Sequence, residues 1–311
     1  MTKLACSQFT RRQARNALLI FGGAYVLGGM NVWAQPTIAK SQGTHALAAN
    51  PGRHPSIRLG LPQTPTLPSP TRSGLVAVNG MRLFFAQFGA GPPVLLIHGG
   101  LANSNYWGYQ VKELAQRFSV TVMDTRGHGR SPVMSHVFGY RVFAEDVVSL
   151  LDFLNISSAS IVGWSDGAIT GLQLAMTQPS RVTKLFAFAG NSSVSGMKPD
   201  TTGMLASYAA RCKIEYARIS PRPERWPELL AGLRVMWRTE PNFTKQQLAT
   251  INCPTMISDG EYDEIIKRAD TELMARKIPG AQLVIQRDVS HFAMLQNPGE
   301  FNRILFEFLG T

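Results

Sequence analysis

Ala159-Ser160-Ile161-Val162-Gly163-Trp164-Ser165-Asp166-Gly167-Ala168 holds, in ten residues, the clearest architectural signal in the chain. Ala159 to Val162 is a short run predicted as a strand buried on both faces. Asp166 to Met176 is predicted as a helix. Between them Gly163 to Gly167 fits G-x-S-x-G, the pattern of a sharp strand-to-helix turn. Such a turn strains the serine backbone and presents its hydroxyl at the edge of the sheet. A Cβ at Gly163 or Gly167 would collide with the neighbouring strand and helix.

Strands and helices alternate on both sides of this turn. Leu75 to Val78 and Met81 to Phe85 flank Asn79-Gly80, a strong hairpin signal. Val94 to Ile97 and Val120 to Met123 are predicted strands, with a helix between them over Tyr106 to Phe118. A helix over Tyr140 to Leu154 precedes the quoted stretch, and Thr183 to Phe188 adds a strand after it. The rhythm lapses over about 191–252, which holds helical pieces, prolines and aromatics, and which reads as an inserted cap. It resumes with strand 254–258, a helix near Glu264 to Lys277, strand 282–285 and a last helix from Pro298. This order implies an α/β fold, a doubly wound and mostly parallel sheet spanning 73–311. Functional groups then belong at the carboxyl ends of its strands.

A serine hydroxyl is a weak nucleophile at neutral pH and needs a base. Of six histidines, His45 and His54 precede the domain, His98 and His128 sit beside glycines in loops after strands, and His136 has no motif around it. His291, in Asp288-Val289-Ser290-His291-Phe292 near the C-terminus, fits the order serine, acid, histidine found with this type of turn. The acid must follow the strand at 254–258, where Asp259, Glu261 and Asp263 are available. Asp263, at the far end of that loop, has the reach. Asp259 suits a turn-fixing role and Glu261 a solvated one. The candidate catalytic set is Ser165, Asp263 and His291. An oxyanion needs prearranged N–H donors, which Asp166 and Gly100 would supply, with Leu101 the alternative to Gly100. Leu101, Trp107, Trp164, Trp226, Trp237 and Phe292 are candidate pocket walls. Tyr208, Tyr216 and Phe243 in the cap would either join them or anchor the cap to the core. The Asp166 side chain has two readings, a helix N-terminal cap or a partner for a cationic amine on a substrate.

Together, the His98-Gly99-Gly100 loop, the D-x-R-G-H-G-R-S segment at 124–131, the serine turn, the Gly260-Glu261-Tyr262-Asp263 loop and Ser290-His291-Phe292 resemble the α/β-hydrolase superfamily. Gly163-Trp164-Ser165-Asp166-Gly167 is similar to the turn of valacyclovir hydrolase-like (biphenyl hydrolase-like) esterases, with Ala168 replacing a second glycine. The resemblance implies hydrolysis of small-molecule carboxylic esters through an acyl-enzyme, without metal or organic cofactor. It also admits C–C bond and lactone hydrolases with the same triad. From another class, a catalytically inactive binding protein of this fold is the alternative.

The formal charge of +11 raises the question of nucleic acid. Residues 1–72 carry eight Lys or Arg and no Asp or Glu. Removing those eight from 31 leaves 23 basic residues against 20 acidic ones in the remainder, too balanced for a nucleic-acid footprint. The leader has the order of an export signal. Arg11-Arg12 and Arg15 precede an apolar run from Ala17 to Gly29, and Val32-Trp33-Ala34 offers a cleavage site. The arginine pair resembles a twin-arginine signal, though Gln13-Ala14-Arg15 replaces the usual x-Phe-Leu. We therefore expect a bacterial periplasmic or secreted protein with no membrane attachment after cleavage of residues 1–34. The alternative is a retained anchor, for which 18 residues with five Gly or Asn are marginal. Residues 35–72, rich in Pro and Ser and free of acidic residues, are expected to be a disordered tether. Cys212 and Cys253 are expected to be buried free thiols rather than a pair.

Overall fold

In a strand covered on both faces every side chain must be apolar, and Val94 to Ile97 meets that condition. In the computed structural model, which describes residues 60–134 and 137–310, Val94 and Leu96 enter one core cluster and Leu95 and Ile97 the other. This is the period-2 alternation of a strand with two buried faces. The leader at 1–34, the first part of the tether and His136 lie outside the described residues.

Eight strands form one sheet: β1 (Arg72–Val78), β2 (Met81–Phe88), β3 (Pro93–Ile97), β4 (Ser119–Asp124), β5 (Ala159–Trp164), β6 (Val182–Phe188), β7 (Thr255–Gly260) and β8 (Gln282–Gln286). Their order is β1-β2-β4-β3-β5-β6-β7-β8. Only β2 runs against its neighbours; β3 to β8 pair in parallel. The hairpin β1–β2 turns on Asn79 (φ 47°) and Gly80 (φ 71°), the positive-φ pair that matches strand twist. The strand carrying the serine turn, β5, lies between β3 and β6, so its carboxyl end opens at the middle of the sheet.

Helices α1 (Gly108–Leu114), α2 (Tyr140–Phe153) and α3 (Asp166–Thr177) connect the first strands. Between β6 and β7 come α4 (Met204–Ile219), α5 (Trp226–Thr239) and α6 (Lys245–Leu248), followed by α7 (Arg268–Lys277), α8 (Ala293–Gln296) and α9 (Pro298–Leu309). On α4, Tyr208, Cys212 and Tyr216 recur every four residues, and on α5 Leu229, Leu233 and Met236 follow at spacings of four and three. Both buried stripes face the core. Among the described residues no helix is long and apolar enough to cross a membrane.

Three expectations need correction. The helix expected over Tyr106 to Phe118 is a 3₁₀ turn at Ser104–Trp107 and the seven-residue α1. The Asn103 side chain, accepting from the Asn105 N–H, sets a tight turn there that periodicity does not register. The helix expected from Glu264 begins only at Arg268, because residues 264–267 wrap the Asp263 carboxylate. Cys212 and Cys253 are buried and unpaired, which excludes the disulfide alternative.

The third correction concerns the tether, whose last part lies on the domain. Leu61 and Leu67 pack against the core. The Thr64 hydroxyl donates to Glu215 at 2.6 Å, Gln296 donates to the Gly60 carbonyl at 2.9 Å, and Arg211 donates to the Pro62 carbonyl. A chain beginning at Ser73 is therefore expected to be less stable than one beginning at Gly60 by about 2–4 kcal/mol, from two half-buried leucines and several hydrogen bonds. Urea unfolding of the two chains measures the difference, and equal midpoints would mean that these contacts add nothing.

Candidate active site

At the end of β5 the chain turns into α3 through Ser165, held at φ 55° and ψ −120°. A residue with a Cβ adopts this conformation at a cost of about 1–3 kcal/mol, so the surroundings must enforce it. They do so through the Ser165 N–H, which donates to the Phe188 carbonyl at 2.9 Å, and the Ser165 carbonyl, which accepts from Ile169 at 3.0 Å. A Cβ at Gly167 would overlap the Ile97 carbonyl oxygen, so only glycine lets α3 start this close to β3. Ala168 is buried against Gly190, showing that the small residue packs where the similar esterases have glycine.

His291 arrives on the loop after β8, and its Nδ1 lies 2.7 Å from Oδ2 of Asp263. The other Asp263 oxygen accepts from the N–H groups of Ile265 and Ile266, each at 2.7 Å. Both carboxylate oxygens are thereby held, and one of them orients the imidazole through Nδ1. Burial pushes Asp263 up to about 6, against the pull of its hydrogen-bond donors, and it lowers His291. The other two carboxylates of this loop do not reach the ring. Asp259 accepts from the Gly260 N–H and the Thr271 hydroxyl, and exposed Glu261 accepts from the Asp288 N–H.

The loop after β3 packs beside the serine, where a Cβ added to Gly99 would stand 3.1 Å from Cβ of Ser165. The Nδ1 of His98 lies 2.7 Å from the Gly99 carbonyl, and the Thr125 N–H donates to its Nε2 at 3.0 Å. His98 is therefore a neutral brace with its proton on Nδ1. Its neighbour His128 contacts the Thr125 hydroxyl and the Arg126 carbonyl. Leu101 follows with φ 65°, a second strained residue beside the serine. The Asp166 side chain accepts from Tyr140 Oη at 2.8 Å and from Trp237 Nε1 at 2.9 Å. Burial raises this carboxyl to about 6, and those two donors limit the rise.

These groups meet at a cavity of about 340 Å³ roofed by α4 and α5. Ser165, His291, Asp166, Gly100, Leu101, Trp164 and Trp237 all line it. Three expected wall residues do not. Trp107 is fully buried against Phe301, Trp226 packs on Tyr216 in the cap, and Phe292 lies beneath Trp164 and His291. Each is consumed by core packing, as Tyr216 is, whereas Tyr208 reaches the cavity.

A sequence profile of the family described as alpha/beta hydrolase fold matches residues 92–211, which span β3, the serine turn and β6. Mouse (Mus musculus) serine hydrolase BPHL is 28 % identical over 255 residues, covering 76 % of this chain and 86 % of that protein. The chain has the α/β-hydrolase fold and is similar in sequence to hydrolases of that superfamily. Among solved relatives of this α/β hydrolase, a hydrolase from Pseudomonas aeruginosa PA01 has a TM-score of 0.64. It is 26 % identical and covers 78 % of this chain and 99 % of its own. Est816, described as an N-acyl homoserine lactone degrading enzyme, has a TM-score of 0.61. It is 29 % identical, over 76 % of this chain and all of its own.

Further residues hold the loops of this site in place. Glu264 accepts from the His291 N–H at 3.2 Å and from the Ser290 hydroxyl at 3.4 Å, anchoring the histidine loop. Trp164 donates its Nε1 to the His291 carbonyl at 2.9 Å, so it braces that loop as well as lining the cavity. Glu264 was legible only as a neighbour of Asp263. Tyr140, which reaches the site from α2, has no positional signal in the sequence, whereas Tyr208 is one of the cap aromatics whose two readings, wall or anchor, the cavity decides in favour of wall.

Proposed function

We propose that this hydrolase cleaves carboxylic esters through Ser165, His291 and Asp263. One observation carries the reading: Ser165 and His291 face one cavity, and Asp263 holds the far nitrogen of the imidazole at 2.7 Å. His291 takes the Ser165 proton as the oxygen attacks the ester carbonyl, forming a tetrahedral oxyanion. N–H groups of Asp166 and of Gly100, with Leu101 the alternative, would stabilise that oxyanion, each donor contributing about 3 kcal/mol. Collapse returns the proton to the leaving alcohol, and water, activated by the same imidazole, releases the acid. A mostly apolar cavity of about 340 Å³ suits a small substrate. The order of residues 10–34 supports export to the periplasm or medium as part of this proposal.

The likeness to Est816 favours a second reading, a lactone as the cyclic ester substrate. A panel of p-nitrophenyl esters of increasing acyl length, run beside N-acyl homoserine lactones, separates the two by product analysis. Turnover of neither class would exclude both readings.

The buried Asp166 carboxylate facing the cavity supports a narrower substrate, an ester with a cationic amine on its acyl group. A charge-assisted hydrogen bond there amounts to about 1.5–3 kcal/mol, or roughly ten- to a hundredfold in kcat/KM. The expected result is a preference of that size for an amino-acid ester over its des-amino analogue, lost in Asp166→Asn. Equal wild-type rates would leave the Asp166 carboxylate as a first-turn acid bonded to Tyr140 and Trp237, and its N–H as a backbone donor.

A further inference from the structure

The cap reaches the loop after β3 through a hydrogen bond. Tyr208, on α4, donates its hydroxyl to the Gly100 carbonyl at 2.7 Å. Its ring touches Trp164, the residue before the nucleophile, at 6.1 Å between centroids, and Phe292, the residue after the base, at 5.2 Å. One cap side chain therefore contacts the oxyanion loop, the serine turn and the histidine loop together. Burial holds its phenol well above the ordinary range, so the hydroxyl remains a donor.

The Gly100 carbonyl belongs to the same planar peptide unit as the Leu101 N–H, and the two point in opposite directions. Fixing the carbonyl therefore fixes the direction of that N–H and the torsion of Gly100. Leu101 sits at φ 65°, a conformation that a leucine leaves unless something holds it. Gly99 on the other side is held separately, through His98 and through the Ala102 N–H at 3.2 Å. Among the described hydrogen bonds, the one from Tyr208 is the side-chain bond that fixes the Gly100–Leu101 peptide.

On the basis of the serine-hydrolase reading above, we propose that Tyr208 is a positioning residue for the oxyanion hole. Its hydroxyl holds the Gly100–Leu101 peptide plane so that the Leu101 N–H, the alternative donor to Gly100, is aimed at the tetrahedral intermediate. The cap would thereby set the rate of the chemical step as well as the fit of the substrate. The role belongs to the hydroxyl, and the ring only places it.

Tyr208→Phe keeps the ring and removes the hydroxyl. Tyr216→Phe, eight residues further along α4, removes the hydroxyl of a ring that packs on Trp226 away from the cavity, and serves as the control. With p-nitrophenyl butyrate, Tyr208→Phe is expected to lower kcat about tenfold with KM within twofold, a fraction of what losing a whole donor costs. Benzeneboronic acid, which forms a tetrahedral adduct with the serine, should weaken by a similar factor. Inhibition by the product p-nitrophenol should not change, and Tyr216→Phe should match wild type throughout. A merely structural role would lower the melting temperature and leave kcat alone. A Tyr208→Phe kcat within twofold of wild type would overturn the proposal. So would equal weakening of boronate and p-nitrophenol, which would make Tyr208 a cavity wall. A wild type that hydrolyses no ester and binds no boronate would instead remove the serine-hydrolase reading, and this proposal with it.

Discussion

Ser165→Ala is expected to lower kcat for p-nitrophenyl esters by about 10⁴- to 10⁶-fold, as loss of the nucleophile does in serine hydrolases. The residue exchanges one oxygen for hydrogen while the backbone stays at φ 55°, a conformation that alanine tolerates no worse than serine. The enforcing contacts, Ser165 N–H to Phe188 and Ile169 N–H to the Ser165 carbonyl, are made by the backbone and survive the change. The melting temperature is therefore expected to stay within a few degrees of wild type, and fluorophosphonate labelling of the chain should vanish. Mass spectrometry of labelled wild type should place the adduct on the peptide containing Ser165. More than about a tenth of the activity remaining in the variant would mean that another group attacks the ester.

Asp263→Asn carries the second large effect, a fall in kcat of about 10⁴-fold. The carboxylate accepts from two N–H groups on one oxygen and faces the imidazole with the other. An amide in its place must turn its NH₂ either toward Ile265 and Ile266, where donors meet donors, or toward Nδ1. In the second case Nδ1 becomes the acceptor and the proton moves to Nε2, the nitrogen needed as the base. The same pair sets the pH dependence. The imidazole must be neutral and Asp263 ionised, and burial raises Asp263 to about 6 while lowering His291. Wild-type kcat/KM is accordingly expected to climb with pH to a plateau beginning above about 6, the apparent value belonging to the coupled pair. An activity maximum below pH 5 would contradict the assignment of His291 as base. His291→Ala should cost about as much as Ser165→Ala, and the double variant little more, because the members act as a unit.

Much of this arrangement was readable along the chain. The strand, turn and helix around Ser165 depend on local chemistry: a short strand run, two glycines at close approaches, and a helix start. The hairpin at Asn79-Gly80 and the buried strands follow for the same reason, since hydrophobic period and turn residues act over a few positions. The order serine, acid, histidine then left one histidine and three carboxylates to consider, with Asp263 favoured by its reach.

What the sequence could not decide was which side chains remain free to face a substrate. Trp107, Trp226 and Phe292 have the same chemistry as Trp164 and Trp237, yet three are spent in the core and two line the cavity. The difference arises from how α4 and α5 pack over the sheet, a long-range matter on which residue type is silent. Residues 60–71 pack on the domain for a related reason. Two leucines among prolines are too few to fold alone, but a domain surface already formed can hold them. The hydroxyl of Tyr208 and the carboxylate of Glu264 found their places by the same route. Local sequence determined the nucleophile, its turn and the strands that carry it, because those depend on neighbours in the chain. Tertiary structure decided the cavity walls, the brace on the histidine loop and the contact from cap to oxyanion loop. Those depend on groups up to about a hundred residues or more apart meeting at one point, as Tyr208 and Gly100 do across 108 positions.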